Sequence, residues 1–479
     1  MKLQYCFLVL LYLSGHVFYN NAYAGSDIPM LKTDHLNAEY WLAQTADPHT
    51  VLLTPAQISA RNKDNFARQS EMILLSELPA SLSASELTTV INSASAKTDL
   101  PRFYADGTAV SKQQWQAYRH SLNIDAVDAD NPIQFALVVK RTDLRSMPSN
   151  DRVHNQDMAL DLDRFQETGL FPGEAVAVLH HSRDNNWLLV QNYHYSGWVQ
   201  ARDLALGSRQ RVLEYSEQQP FLLVTGARVT TSFTPDQPAI SQLVLDMGTR
   251  LPLLSSDDTG HNVHGQNPHA SHIVKLPVRA ADGSLGFTPA LIARQQDVSI
   301  GYLPYTPANV LTQAFKFLGD RYGWGHDYDS RDCTGFIIEI YRSFGLLMPR
   351  NSGQQGEGRY GQNIRFSSQS SHSDKLAAIR QAAPGDLIYR PGHVMLYLGV
   401  ENGEPFVIHS VHDLAYFTDS HVDKTHTDKT SAGTASTAPA TPSLYQGILN
   451  GVAVTPLTPL QLSADSSYLD KIYAIKSLR

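Results

Sequence analysis

Hydrophobic spacing changes twice along the chain. Up to about residue 131 it has the period of helices: Trp115, Tyr118 and Leu122 recur one turn apart within 111–122. Ser83-Ala84-Ser85-Glu86 has capping-box spacing, in which hydroxyl and carboxylate satisfy the free N–H groups of a helix start. From about 132 the pattern shortens to strands and turns. Residues 135–139 form a brief apolar run, and Pro172-Gly173 and Asp184-Asn185-Asn186 mark turns. Alternation around Val176 and Val178, then Trp187-Leu188-Leu189-Val190 and Gly197-Trp198-Val199, complete a unit that reads as a small barrel. Residues 212–304 repeat the theme, with strand candidates at 221–224, 243–245, 273–278 and 298–303 and a turn at Asp282-Gly283.

The helical period returns at Thr306-Pro307, where threonine suits the cap and proline the first helical position. Val310, Leu311, Ala314, Phe317 and Leu318 form its apolar face. A second helix is expected from Cys333 to about 344, burying Phe336, Ile337, Ile340, Tyr341 and Phe344. Strands are predicted at 387–389, 393–398 and 406–409, the last two joined by the hairpin signal Asn402-Gly403. Residues 452–454 resume the sheet, and 468–478 read as a terminal helix. Residues 424–443 are rich in Thr, Ala and Ser and carry too little apolar surface to order themselves, so a disordered insertion is expected. The fold class is α+β, divided as a helical region 25–131, β modules 132–210 and 211–305, and a C-terminal domain 306–479.

At 479 residues several domains are expected. A formal charge of -8 leaves no basic excess for a nucleic-acid backbone. The first 24 residues have the form of an export signal: Lys2, a mostly apolar stretch 5–13, and small residues at Ala22-Tyr23-Ala24. The apolar stretch is too short to span a bilayer, so an exported protein, periplasmic or secreted and without stable membrane insertion, is expected.

Export removes Cys6, leaving Cys333 as the one cysteine of the mature chain. A lone thiol in an oxidising compartment forms no internal disulfide and is a liability unless used. A free cysteine is often only a small buried hydrophobe. Here it opens a helix, where unpaired N–H groups and the dipole favour a thiolate. His393 follows the Pro391-Gly392 turn at a strand start, and His409 lies across the hairpin, so paired strands can bring a base and its orienting partner together. His412 is near enough in sequence to compete with His409. One cysteine and two histidines leave a structural zinc site a ligand short. His261, His264, His269 and His272 make two H-x-x-H pairs, but in a Gly-, Asn- and Pro-rich run that fixes no ring; no metal or cofactor is assigned.

The last third resembles the NlpC-type murein endopeptidases, papain-like cysteine peptidases of bacterial cell walls. The matching residues are Tyr322 to Gly325 (YGWG), Asp332 to Gly335 (DCTG), Arg350 to Ser352 (RNS) with Gln354, PGDLIY, GHVMLYLG and VIHS. Residues 185–199 resemble a bacterial SH3-like domain. The order of a helical region, two SH3-like barrels and a papain-like domain is similar to that of γ-D-glutamyl-L-diamino acid endopeptidases. The resemblance implies Cys333 as nucleophile, His393 as base and His409 as the residue that orients it. It also implies Tyr322, Asp332 and Thr334 at the substrate, the first two holding a free amino end. Asp332 can equally serve as a helix cap. The implied substrates are peptidoglycan stem peptides or muropeptides; a wall-binding scaffold without catalysis, or an amidase or acyltransferase on the same fold, is the alternative. Thr334 replaces the commoner serine, and His326 stands where a glycine is usual.

Overall fold

The computed structural model describes residues 28–418 and 443–479. The export segment, Cys6 and all of the expected insertion except Ser443 lie outside the described residues.

Local signals place the helices as the spacing predicts. Ser83 caps Ala84–Ala94 and Ser111 caps Lys112–Ser121, both through capping boxes, and Thr306 caps Pro307–Phe315 by accepting from Asn309. The helical region is not one unit, however. Trp41, Leu53 and Ile58 belong to the core of the C-terminal domain, whereas Leu87, Ile91, Tyr118 and Leu122 pack with Phe135 and Trp198 of the first β module. Their apolar faces are completed by two different partners.

The first β module is a seven-stranded antiparallel sheet in the order Gln166–Leu170, Thr142–Arg145, Ser196–Gln200, Trp187–Gln191, Ala175–His181, Gln134–Val138, Leu204–Gly207. Gly197 is required there, since a Cβ would stand 2.2 Å from Leu144 Cδ2. The second module is a five-stranded sheet in the order Leu285–Ala293, Ser271–Arg279, Arg250–Leu254, Phe221–Val224, Val298–Ile300, with a separate pair Arg228–Thr230 and Val244–Asp246. His264 of its histidine-rich loop meets the Pro289 carbonyl, and among the described residues no group of three or more His, Cys, Asp or Glu could hold a metal ion.

The C-terminal domain sets the helix Cys333–Arg342 against an eight-stranded sheet. At its centre Leu387–Arg390, His393–Glu401 and Glu404–Thr418 run antiparallel. The Asn402-Gly403 turn has both residues in the left-handed region, at φ 52° and 84°, as a tight hairpin requires. Glu404–Thr418 also pairs with Ser443–Pro456. The expected terminal helix is limited to Tyr468–Lys471; Ala474–Ser477 is a strand between Gln362–Arg365 and Leu387–Arg390. Ala474 and Ile475 face different cores across the sheet, which a one-sided helical reading of the segment cannot anticipate.

Candidate active site

Three side chains singled out from sequence converge where the cysteine helix meets the sheet. Cys333 is the first residue of its helix, and its sulfur lies against the backbone N–H of Val394, the residue after His393. His393 and His409 sit on adjacent strands, with His393 Nε2 2.8 Å from His409 Nδ1. His409 Nε2 is in turn 3.1 Å from Thr455 Oγ1, on the next strand over. His412 is elsewhere, 3.0 Å from Asp413 and with its ring edge on Tyr322, so it is His409 that the fold brings to His393. Thr455 carried no signal in the sequence, being one polar residue in an ordinary strand.

The ionisation of the pair differs from the thiolate expected at a helix start. Burial, then the neighbouring Asp332 carboxylate, push the Cys333 thiol up to about 12, against the Val394 N–H and Arg350. Burial, then Arg390 and His409, hold His393 well below its ordinary value. Burial and Arg390 lower His409 to about 3. The resting site is therefore a neutral thiol beside neutral imidazoles. The thiol and the His393 ring are not hydrogen-bonded to each other in this state; the thiol reaches the strand of His393 through the Val394 N–H. An unprotonated imidazole is the form that can accept a proton.

The nucleophile's position is fixed by charges drawn from both β modules. Asp332 caps the helix, accepting from Gly335 N at 2.8 Å, Thr334 Oγ1 at 3.0 Å and Gly325 N at 3.1 Å. Arg350 adds Nη2 at 2.7 Å and Nη1 at 3.3 Å. Burial opposes the charge, but Arg350, His326 and these donors prevail and hold Asp332 at about 2. Five donors surround the Asp332 carboxylate, and Thr334 is buried in the same network. Both residues thus hold structural contacts at the start of the cysteine helix, Asp332 as its cap. Tyr322 is buried beside them with its phenol protonated, burial and the Asp332 charge raising it.

Arg350 continues to Thr168 Oγ1 of the first β module at 2.7 Å. His326 fills the space between that module and the cysteine helix. Its ring nitrogens stand 3.3 Å from Thr168 Oγ1 and 3.2 Å from Glu339 Oε1, with its ring edge on Phe171. It adopts φ 67°, and a Cβ on Gly335 would lie 2.6 Å from its ring. Arg331 points the other way, donating to Glu339 at 2.7 Å and to Asp246 of the second module at 2.7 Å. Asp246 is also 3.2 Å from Arg141 Nε, and Ser410, next to His409, donates to the Arg331 carbonyl at 2.8 Å. Buried cations and carboxylates thus alternate, which limits the cost of desolvating them. A cavity of about 500 Å³ opens between the helical region and the first module, with Arg102, Arg164, Glu167 and Tyr195 on its wall and Asn351 of this domain at its edge.

Known proteins share this construction. Residues 319–431 match the NlpC/P60 family profile, and residues 154–200 match the SH3 domain profile of the SH3b1 type. The chain carries an NlpC/P60 domain and an SH3b domain. It is 29% identical over 201 residues to a gamma-D-glutamyl-L-lysine dipeptidyl-peptidase of Bacillus cereus, an alignment covering 40% of this chain and 54% of that protein. With the probable endopeptidase p60 of Listeria innocua it shares 34% identity over 101 residues, 20% of this chain and 18% of that one. The match thus spans about half the length of the first relative and under a fifth of the second. An NlpC/P60 endopeptidase structure from Photobacterium damselae subsp. piscicida superposes with a TM-score of 0.69 at 14% identity, over 91% of this chain and 96% of that one. At that identity the superposition establishes the shared fold. The NlpC/P60 domain is papain-like, with the nucleophile candidate on the helix and the histidines on the sheet.

Proposed function

We propose that this chain is an exported cysteine peptidase that cleaves the γ-D-glutamyl–diamino acid bond of peptidoglycan stem peptides. The observation that carries the reading is the placement of Cys333, at a helix N-terminus, against the strand that presents His393 to His409. His393 Nε2 donates to His409 Nδ1, which leaves Nδ1 of His393 as the proton acceptor. Cys333 transfers its proton to that nitrogen as it attacks the carbonyl carbon, and helix N–H groups stabilise the developing oxyanion. The imidazolium returns the proton to the leaving amine, giving an acyl-enzyme that water, activated by the same imidazole, hydrolyses. The relative named a gamma-D-glutamyl-L-lysine dipeptidyl-peptidase supports this bond type. The SH3b domain packs on the catalytic domain, its Thr168 accepting from Arg350, which favours a role in walling the substrate cleft over that of a detached tether.

The test is the mass of products after purified protein is incubated with defined muropeptides. Release of peptides beginning at the diamino acid supports the reading. Unchanged substrate indicates a binding scaffold, and loss of the sugar–alanine amide indicates an amidase.

A further inference from the structure

Among the described residues, Arg390 is a cation without a counter-ion beside the proposed base. It ends the strand before the turn that leads to His393, and the two residues pair across that turn. Its guanidinium lies over the Tyr468 ring at 4.2 Å, and the same ring is 6.2 Å from His393. Nη1 donates to the Pro391 carbonyl and Nη2 to the Tyr468 hydroxyl, while Nε is buried and has no hydrogen-bond partner. Among the described residues no carboxylate lies within ion-pair distance of it, whereas the buried Arg331 and Arg350 are each paired with acids. A half-buried arginine without an acid retains an unmet demand for an anion.

The space in front of it is a cavity of about 570 Å³. Arg390 and Tyr468 form one wall, and Gln446, Gln461 and Asp413 stand on the others. This cavity is separate from the one at the SH3b domain. Its position follows from the chemistry: the group that protonates the leaving amine must touch it. The cavity is walled by Tyr468, whose ring is 6.2 Å from that of His393, and by Arg390, the strand partner of His393, so it lies on the side of the leaving residue. A diamino acid offers carboxylates and a second amine, which suit Arg390, the two glutamine amides and Asp413.

We propose that this cavity receives the leaving diamino acid and that Arg390 pairs with a carboxylate of that residue. The assignment rests on the stem-peptide reading above. The carboxylate has two sources, the α-carboxylate of a C-terminal diamino acid and the side-chain carboxylate that diaminopimelate has and lysine lacks.

Four peptides separate them: L-Ala-γ-D-Glu followed by meso-diaminopimelate or by L-lysine, each with and without a further D-alanine. Arg390→Gln is expected to lower kcat/KM roughly ten- to a hundredfold on the peptides that present the recognised carboxylate and little on the others. Arg390→Lys, which keeps the charge, retains most of the rate. Loss confined to the diaminopimelate peptides identifies the side-chain carboxylate, and loss confined to the peptides without D-alanine identifies the α-carboxylate. Arg390 also bears on the ionisation of His393, and that influence is common to all four substrates. Equal loss on all four, or none, therefore overturns the assignment while leaving the hydrolase reading intact. Dissociation constants of the same peptides for Cys333→Ala, with and without Arg390→Gln, give the second readout. Binding that depends on Arg390 without any cleavage by the wild type upholds the cavity and overturns the hydrolase. Neither binding nor cleavage overturns both.

Discussion

His393 Nε2 and His409 Nδ1 stand 2.8 Å apart, so the first nitrogen of the pair free to meet a thiol is His393 Nδ1. For Nδ1 to accept a proton, the hydrogen of His393 must reside on Nε2 and be donated to His409. His409 then carries its own hydrogen on Nε2, facing Thr455 Oγ1 at 3.1 Å. Three residues on neighbouring strands thus set one tautomer.

Thr455 is therefore a positioning residue. Thr455→Val preserves its shape and removes the acceptor, so kcat should fall roughly tenfold, the equivalent of a lost buried hydrogen bond, with KM unchanged. Thr455→Ser should restore most of the rate. Full activity in the valine variant would show that the hydroxyl does not set the tautomer.

The buried histidines make stability depend on pH. Burial, with Arg350 beside His326 and Arg390 beside His393, holds both rings well below the ordinary 6.5, and His409 is lowered to about 3. Below 6.5 the unfolded chain binds protons that the folded chain refuses, so falling pH favours unfolding. Their contribution is complete above 6.5 and is lost progressively between 6.5 and about 3. The thermal midpoint should drop as the buffer is acidified through 6.5. A midpoint that stays level down to pH 4 would contradict the burial of neutral rings.

Coupling between the β modules and the nucleophile can be measured at Asp246. It is fully buried between Arg331 and Arg141, and removing a buried partner leaves uncompensated charge at a cost of about 3–5 kcal/mol. Asp246→Ala should lower the thermal midpoint, and because Arg331 is two residues from Cys333 it should lower kcat as well. Asp99→Ala, at an exposed acid near Lys97, is the control and should change neither. Unaltered kcat in the Asp246 variant would mean that the second module does not position the nucleophile.

Features set by nearby residues were legible in the sequence. Ser83, Ser111 and Thr306 cap helices three residues away at most, and Asn402-Gly403 makes its own turn. Cys333, His393 and His409 could be singled out because each follows a turn or lies beside one. What escaped depends on distant partners. Thr455 matters only because strand pairing sets it beside His409, 46 residues earlier. The Arg331–Asp246 contact joins residues 85 positions apart, and Ala474–Ser477 is a strand because two others flank it. The thiol's ionisation depends on distant groups in the same way. The helix N-terminus favours a thiolate, but burial and the Asp332 carboxylate, fixed by Arg350 from beyond the helix, favour the thiol.

The most direct test of the account is mass spectrometry of L-Ala-γ-D-Glu-meso-diaminopimelate-D-Ala after incubation with the wild type and with Cys333→Ala. The account predicts that the wild type releases L-Ala-D-Glu and diaminopimelyl-D-Ala, and that the variant, folded with an unchanged circular dichroism spectrum, releases neither. Equal release by the variant would contradict the cysteine mechanism, and wild-type cleavage at any other bond would contradict the proposed specificity.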